Sequence, residues 1–161
     1  MRLRGREVID LAPAGSPALG LAVDLGTTNA AAFLINLETG ERMASLGIEN
    51  PQTAWGADLI SRINAASKSG LNAEALRKAA VTAVSALAHD LCHAVGARPE
   101  CIVDVVVCGN TAMHHLLLGL PVHQLGRAPF VAAVRDAMDV KARDLGLGVC
   151  TGAWVHLVPN V

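Results

Sequence analysis

The stretch Leu21-Ala22-Val23-Asp24-Leu25-Gly26-Thr27-Thr28-Asn29 constrains this chain more than any other. An apolar run delivers one carboxylate at its end, and a glycine and two hydroxyl residues follow at once. A second apolar run, 30–37, leads to a turn at Glu38-Thr39-Gly40-Glu41. The pattern reads as strand, tight turn, strand. A carboxylate at the end of a buried strand is costly unless a partner or a metal compensates it. Glycine lets a backbone approach an anion closely, and consecutive turn N–H groups form an anion-binding concavity. Asp24 can hold Mg²⁺ directly or through water, because Mg²⁺ takes few protein ligands and keeps several waters. The candidate phosphate-binding residues here are Asp24, Gly26, Thr27, Thr28 and Asn29. The plainer alternative is a strand-end Asp beside an ordinary hairpin. A complete D-L-G-T-T-N between two apolar strands is more specific than that.

The rest of the chain supplies the partners of this turn. Residues 1–18, with Gly5, Pro13, Gly15 and Pro17, read as the tail of a preceding element plus a linker. Strands are expected at 19–24, 30–37 and 42–48, joined by short turns into an antiparallel meander, with Gly40 at a positive φ. Asn50-Pro51 interrupts the pattern. A helix is expected at 56–66, then a longer one from Asn72 as N-cap to Val95, ended by Gly96. The β-branched run 102–107 reads as a strand buried on both faces. Cys108-Gly109-Asn110-Thr111 then opens a short helix through Leu118. The pattern over 131–150 does not decide between strand and helix, and 154–158 reads as a last strand. Three antiparallel strands, helices, then a parallel strand with another helix describe an α/β chain with the order of one ribonuclease-H-like half.

The loop Gly109-Asn110-Thr111 is the second candidate site. A strand that opens a helix through a Gly-polar loop aims helix N–H groups at the sheet edge, where anions bind. The alternative is simple N-capping by Asn110 or Thr111, and the reading strengthens if this loop faces Asp24. Asp58 and Arg62 are spaced i,i+4 and read as a helix-face pair ahead of any catalytic role. His89 and His93, also i,i+4, could ligate a metal only with a third ligand that the sequence does not supply. His114 and His115 must point to different sides of their helix, one packed and one exposed. Cys92, Cys101, Cys108 and Cys150 lack C-x-x-C spacing, which argues against a zinc site or iron–sulfur cluster in this chain and fits reduced thiols in the cytoplasm.

Composition excludes further classes. A net charge of −1 offers no basic field to nucleic acid, and few aromatics are present to stack on bases. No apolar run of the roughly 18 residues a membrane span requires occurs. Charged residues make up only 17% of the 161, which fits a surface covered by another domain or by a second copy in a homodimer, and equally fits an Ala-rich compositional bias. P-loop, dinucleotide-binding and nucleophile-elbow signatures are absent.

Three stretches together resemble a known family. They are Leu21 to Asn29, Asn50-Pro51-Gln52 with Gly56-Ala57-Asp58-Leu59-Ile60-Ser61-Arg62-Ile63, and Cys108 to Gly119. Leu125-Gly126, Ala128-Pro129-Phe130 and the closing Leu157 to Val161 fit the same pattern. The first stretch resembles the first phosphate motif of the acetate-kinase, sugar-kinase, Hsp70 and actin superfamily (ASKHA). The set over 19–161 resembles the ATPase-like part of the reductive activators of corrinoid proteins. The resemblance implies an actin-like ATPase half-domain at 19–161, with the second half absent from this chain. It implies ATP and Mg²⁺ as cofactors, with Asp24 beside Mg²⁺ and Gly26, Thr27, Thr28 and the Gly109-Asn110-Thr111 loop lining the phosphates. It also implies a corrinoid protein as partner, whose cobalt(II) is reduced at the expense of ATP so that methyl transfer resumes, and a [2Fe–2S] ferredoxin-like domain outside this chain. The remaining half of the ATPase domain would complete the site. The competing readings are a small-molecule kinase of the same superfamily and a non-catalytic docking domain.

Overall fold

The computed structural model describes residues 1–159. The expected strand end at Val158 lies within them, whereas Asn160 and Val161 of the closing motif lie outside the described residues. Two short strands come first, β1 (Arg2–Arg4) and β2 (Glu7–Asp10). The meander follows as β3 (Leu19–Leu25), β4 (Asn29–Asn36) and β5 (Arg42–Glu49). A 3₁₀ turn at Pro51–Trp55 leads into α1 (Leu59–Lys68) and α2 (Gly70–Ala94). Then come β6 (Ile102–Gly109), α3 (Thr111–Leu118), β7 (Met138–Lys141), α4 (Ala142–Leu145) and β8 (Trp154–Leu157).

Six strands form one mixed sheet in the order β5-β4-β3-β6-β8-β7. The β3, β4 and β5 strands pair antiparallel, while β6 runs parallel to both β3 and β8. Alternation builds the sheet's inner face. Leu19, Leu21, Val23 and Leu25 of β3 meet Ala30, Ala32 and Leu34 of β4 in one buried cluster. Opposite them α2 contributes Leu76, Ala80, Val84, Leu87 and Leu91, spaced on one helical stripe. Gly40 and Gly96 adopt the left-handed conformation their turns require, at φ 75° and 69°.

Several expectations change. Residues 1–18 are more than linker: β1 and β2 form an antiparallel hairpin docked on the sheet's outer face. Arg4 reaches Asp104 at 3.2 Å, Lys141 Nζ lies 2.8 Å from Glu7, and the Trp154 indole donates to Glu7 at 2.9 Å. Its side-chain ties are mostly polar, with Ile9 packing on the core, so no hydrophobic alternation marks it. The β6 strand is not buried on both faces. Val103, Val105 and Val107 face the core, whereas Val106 and Cys108 are exposed on the outer face. The undecided 131–150 segment holds β7 and α4. The N-cap of α2 is Ser69, whose hydroxyl accepts from the Asn72 N–H at 3.1 Å, so the helix begins earlier than its apolar stripe does.

Candidate functional site

Because β3 and β6 are adjacent and parallel, their carboxyl ends open on the same sheet edge, the edge where α/β folds take ligands. Asp24 stands in register with Cys108, and Leu25 with Gly109. The two expected loops therefore lie side by side. One bond joins them directly: the Asn110 amide donates to the Thr27 hydroxyl at 3.0 Å. The same Asn110 caps α3, its Oδ1 accepting from the Met113 N–H at 3.0 Å. The N-cap reading of Asn110 holds, and its loop faces the Asp24 turn. The first N–H groups of a helix have no intrahelical acceptor, and in α3 the Asn110 side chain satisfies that of Met113.

The glycines are fixed by close approach. A Cβ on Gly26 would stand 2.6 Å from the Asn29 carbonyl oxygen, and one on Gly109 would stand 2.8 Å from that of Leu25. A larger residue at Gly26 would distort the Asp24 turn itself, and one at Gly109 would push the two loops apart. Asp24, Thr28, Asn29 and Asn110 are exposed, while Gly26, Thr27, Gly109 and Thr111 are half-buried. One edge thus presents a carboxylate, hydroxyls and backbone N–H groups to solvent.

Sequence reasoning quoted Asn50 without giving it a role. It is fully buried beneath the Asp24 turn. Its amide donates to the Gly26 carbonyl at 2.8 Å, its backbone N–H donates to the Thr28 carbonyl at 2.8 Å, and its Oδ1 accepts from the Gln52 N–H at 2.9 Å. An Asn before a Pro reads as a turn, and no local signal reveals that it braces a loop far away in sequence. Cys108 opens the second loop. It sits beside Asp24 on the outer face, and partial burial, followed by the Asp24 charge, raises its thiol pKa.

The other candidates separate. Asp58 does not pair with Arg62. It caps α1, accepting from the Ser61 N–H at 2.8 Å and the Ser61 hydroxyl at 2.7 Å, and the hydroxyl bond leads the causes that lower its pKa. Arg62 is completely buried. His89 and His93 stack with ring centroids 6.4 Å apart, and among the described residues no group of three metal-ligating side chains exists. His114 and His115 are both buried, because α3 is wedged under the irregular 119–134 segment. His115 Nδ1 lies 2.7 Å from the Thr111 carbonyl, and its Nε2 accepts from the Ala133 N–H at 3.1 Å. The proton therefore belongs on Nδ1, and the ring holds a loop rather than a ligand. Cys92, Cys101 and Cys150 are buried free thiols. Burial, with Cys101 and Glu100 adding, pushes the Cys92 thiol up to about 11, which does not suit a cluster ligand. Among the described residues, no helix is long and apolar enough to cross a membrane.

The mixed sheet with helices, its two loops meeting at the carboxyl edge of β3 and β6, defines an α/β protein. The family model described as the RACo middle region matches residues 19–161, and the chain belongs to that family. It is 30% identical over 158 residues to the corrinoid activation enzyme RamQ of Eubacterium limosum, covering 96% of this chain and 27% of that protein. A solved structure, the reductive activator for corrinoid,iron-sulfur protein, superposes with a TM-score of 0.88 at 33% identity, covering 92% of this chain and 24% of that one. The chain spans about a quarter of the length of these relatives.

Proposed function

We propose that this chain supplies one wall of the Mg-ATP site in a reductive activator of corrinoid proteins, built on an actin-like, ribonuclease-H-like half-domain. The observation that carries the reading is the side-by-side placement of Asp24 and the Asn110-capped α3, tied by the Asn110–Thr27 bond. The donor set suits a metal-bound phosphate. Asp24 is a single exposed carboxylate, as Mg²⁺ accepts when it keeps its waters. Gly26 and Gly109 leave room that a Cβ would fill, and the helix N-terminus favours negative charge.

In this reading Asp24 orients the hydrated cation, the Thr27 and Thr28 hydroxyls and turn N–H groups hold phosphate oxygens, and Asn110 fixes Thr27. Bound Mg²⁺ would neutralise phosphate charge. The chain's residues position rather than react, as is usual where phosphate chemistry is electrostatic. The opposite wall comes from the remaining half of the ATPase domain. Differential affinity for nucleotide would then shift the activator–corrinoid complex toward the state in which cobalt(II) is reduced. The chain's four cysteines do not fit an iron–sulfur cluster, so the electron comes from elsewhere in the activator. The partner in this reading is a corrinoid protein, in keeping with the names of the two relatives.

The test is ATP-dependent cobalt(II) reduction in a corrinoid protein, followed by its absorbance, using the full-length protein. Asp24→Ala and Thr27→Ala should each abolish ATP dependence. Unchanged ATP-dependent reduction in both variants overturns the site. A phosphorylated small molecule formed from labelled ATP would favour the kinase reading instead.

A further inference from the structure

Among the described residues Arg62 is the one arginine or lysine with a relative exposure of 0%. Its Nε donates to the Gly56 carbonyl at 2.8 Å, and its Nη1 lies 3.9 Å from the Met113 sulfur. Its Nη2 is buried without any hydrogen-bond partner. Among the described residues no carboxylate reaches it within 4.0 Å; the nearest acidic influence is Asp58, which is occupied in capping α1. Burial pulls its pKa down and the Asp58 charge works against that, and an arginine stays charged at neutral pH regardless. A buried charge left unpaired is costly, and a chain that needed only packing would do better with an apolar residue of that volume.

The location explains the cost. The Met113 sulfur that touches Arg62 also lies 3.8 Å from the Asn50 amide, which itself holds the Gly26 carbonyl at 2.8 Å. Met113 is also the residue whose N–H donates to the Asn110 cap. The guanidinium therefore sits behind both loops of the mouth, separated from the Asn110 loop by Met113 and from the Asp24 turn by Met113 and Asn50. In that position water screens its charge poorly.

We propose that Arg62 is a buried counter-charge for the anionic ligand of the Asp24–Asn110 mouth, and so sets its preference for highly charged phosphate over neutral ligands. The inference rests on the Mg-ATP reading and deepens it. Arg62 touches no ligand; it acts through the potential it places behind Gly26 and the first turn of α3. Its Nη2 stays free because the balancing charge arrives from outside, with the nucleotide.

The test is titration calorimetry of the full-length protein with ATP, ADP and adenosine at one fixed free Mg²⁺ concentration. Arg62→Met should weaken ATP on the order of tenfold, as expected for losing one charge roughly a nanometre away at moderate dielectric. It should weaken ADP less and leave adenosine unchanged. Arg62→Lys, which keeps the charge but not the fork, should restore the wild-type ATP-to-adenosine ratio. Equal losses for all three ligands, or a lysine variant that loses ATP and adenosine together, would reduce Arg62 to packing and overturn the proposal. If Arg62→Met does not fold, the lysine variant alone decides by the same ratio. Failure of the wild-type protein to bind ATP strikes the Mg-ATP reading itself, and Arg62 falls with it. Wild-type binding with an unaltered ratio in Arg62→Met sinks only the role of Arg62.

Discussion

The Asn110 amide and the Thr27 hydroxyl, 83 residues apart in sequence, meet at 3.0 Å across the carboxyl ends of β3 and β6. Each end of the Asn110 side chain has a separate task, since its Oδ1 caps α3. Asn110→Asp keeps the cap acceptor and removes the donor to Thr27. Thermal melts should show stability within about 0.5 kcal/mol of wild type, because Asn and Asp cap equally well. Mg-ATP affinity should nonetheless fall at least tenfold, since the new carboxylate faces the phosphate mouth. A variant that loses stability but keeps affinity would contradict the assignment.

Gly26→Ala places a Cβ 2.6 Å from the Asn29 carbonyl oxygen, whereas at Gly47 the nearest atom stands at an ordinary 3.8 Å. Urea unfolding should show Gly26→Ala destabilised by about 1–3 kcal/mol, the usual cost of forced overpacking. Gly47→Ala should change stability by less than about 0.5 kcal/mol. Equal effects at the two sites would show that the Asp24 turn can relax.

Burial, and secondarily the neighbouring His115, lowers the pKa of His114 below its ordinary 6.5. The unfolded chain then takes up a proton that the native state refuses. Stability is therefore intact above the unfolded value and falls as pH drops from about 6.5 toward the folded value, with no further loss below it. Comparing urea midpoints at pH 7.5 and 5.5, His114→Gln should lose less than wild type over that interval. Identical losses would mean that His114 is protonated in place.

Cys108 is the one exposed thiol among four free cysteines. Partial burial and then the Asp24 charge hold its pKa up. Asp24→Asn should therefore speed alkylation of Cys108 at pH 8, by supplying more thiolate. No change in rate would separate the two side chains and weaken the β3–β6 register that places the mouth.

The sequence made the meander and the two loops readable because their signals are local: apolar alternation, D-x-G-T-T, and a Gly-Asn-Thr helix start. Helical spacing likewise marked α2. What escaped was tertiary. The β1–β2 hairpin is held mostly by Arg4, Glu7, Lys141 and Trp154 through polar contacts, so it carries no hydrophobic pattern. The β6 strand alternates burial although its sequence is a near-continuous β-branched run, because its outer face, with Asp104, Val106 and Cys108, is left partly open. Arg62 looked like a partner for Asp58 by spacing alone, yet the helix start claims Asp58 and the core claims Arg62. Asn50 is the same kind of case, since its partner Gly26 lies 24 positions upstream.

The central claim is that Asp24 holds the cation of a Mg-nucleotide mouth. Titration of the full-length protein with ATP, with and without Mg²⁺, tests it most directly. Wild type should bind saturably and more tightly with Mg²⁺, and Asp24→Ala should lose the Mg²⁺-dependent gain while remaining folded by circular dichroism. A folded Asp24→Ala protein that binds Mg-ATP as tightly as wild type would contradict the account.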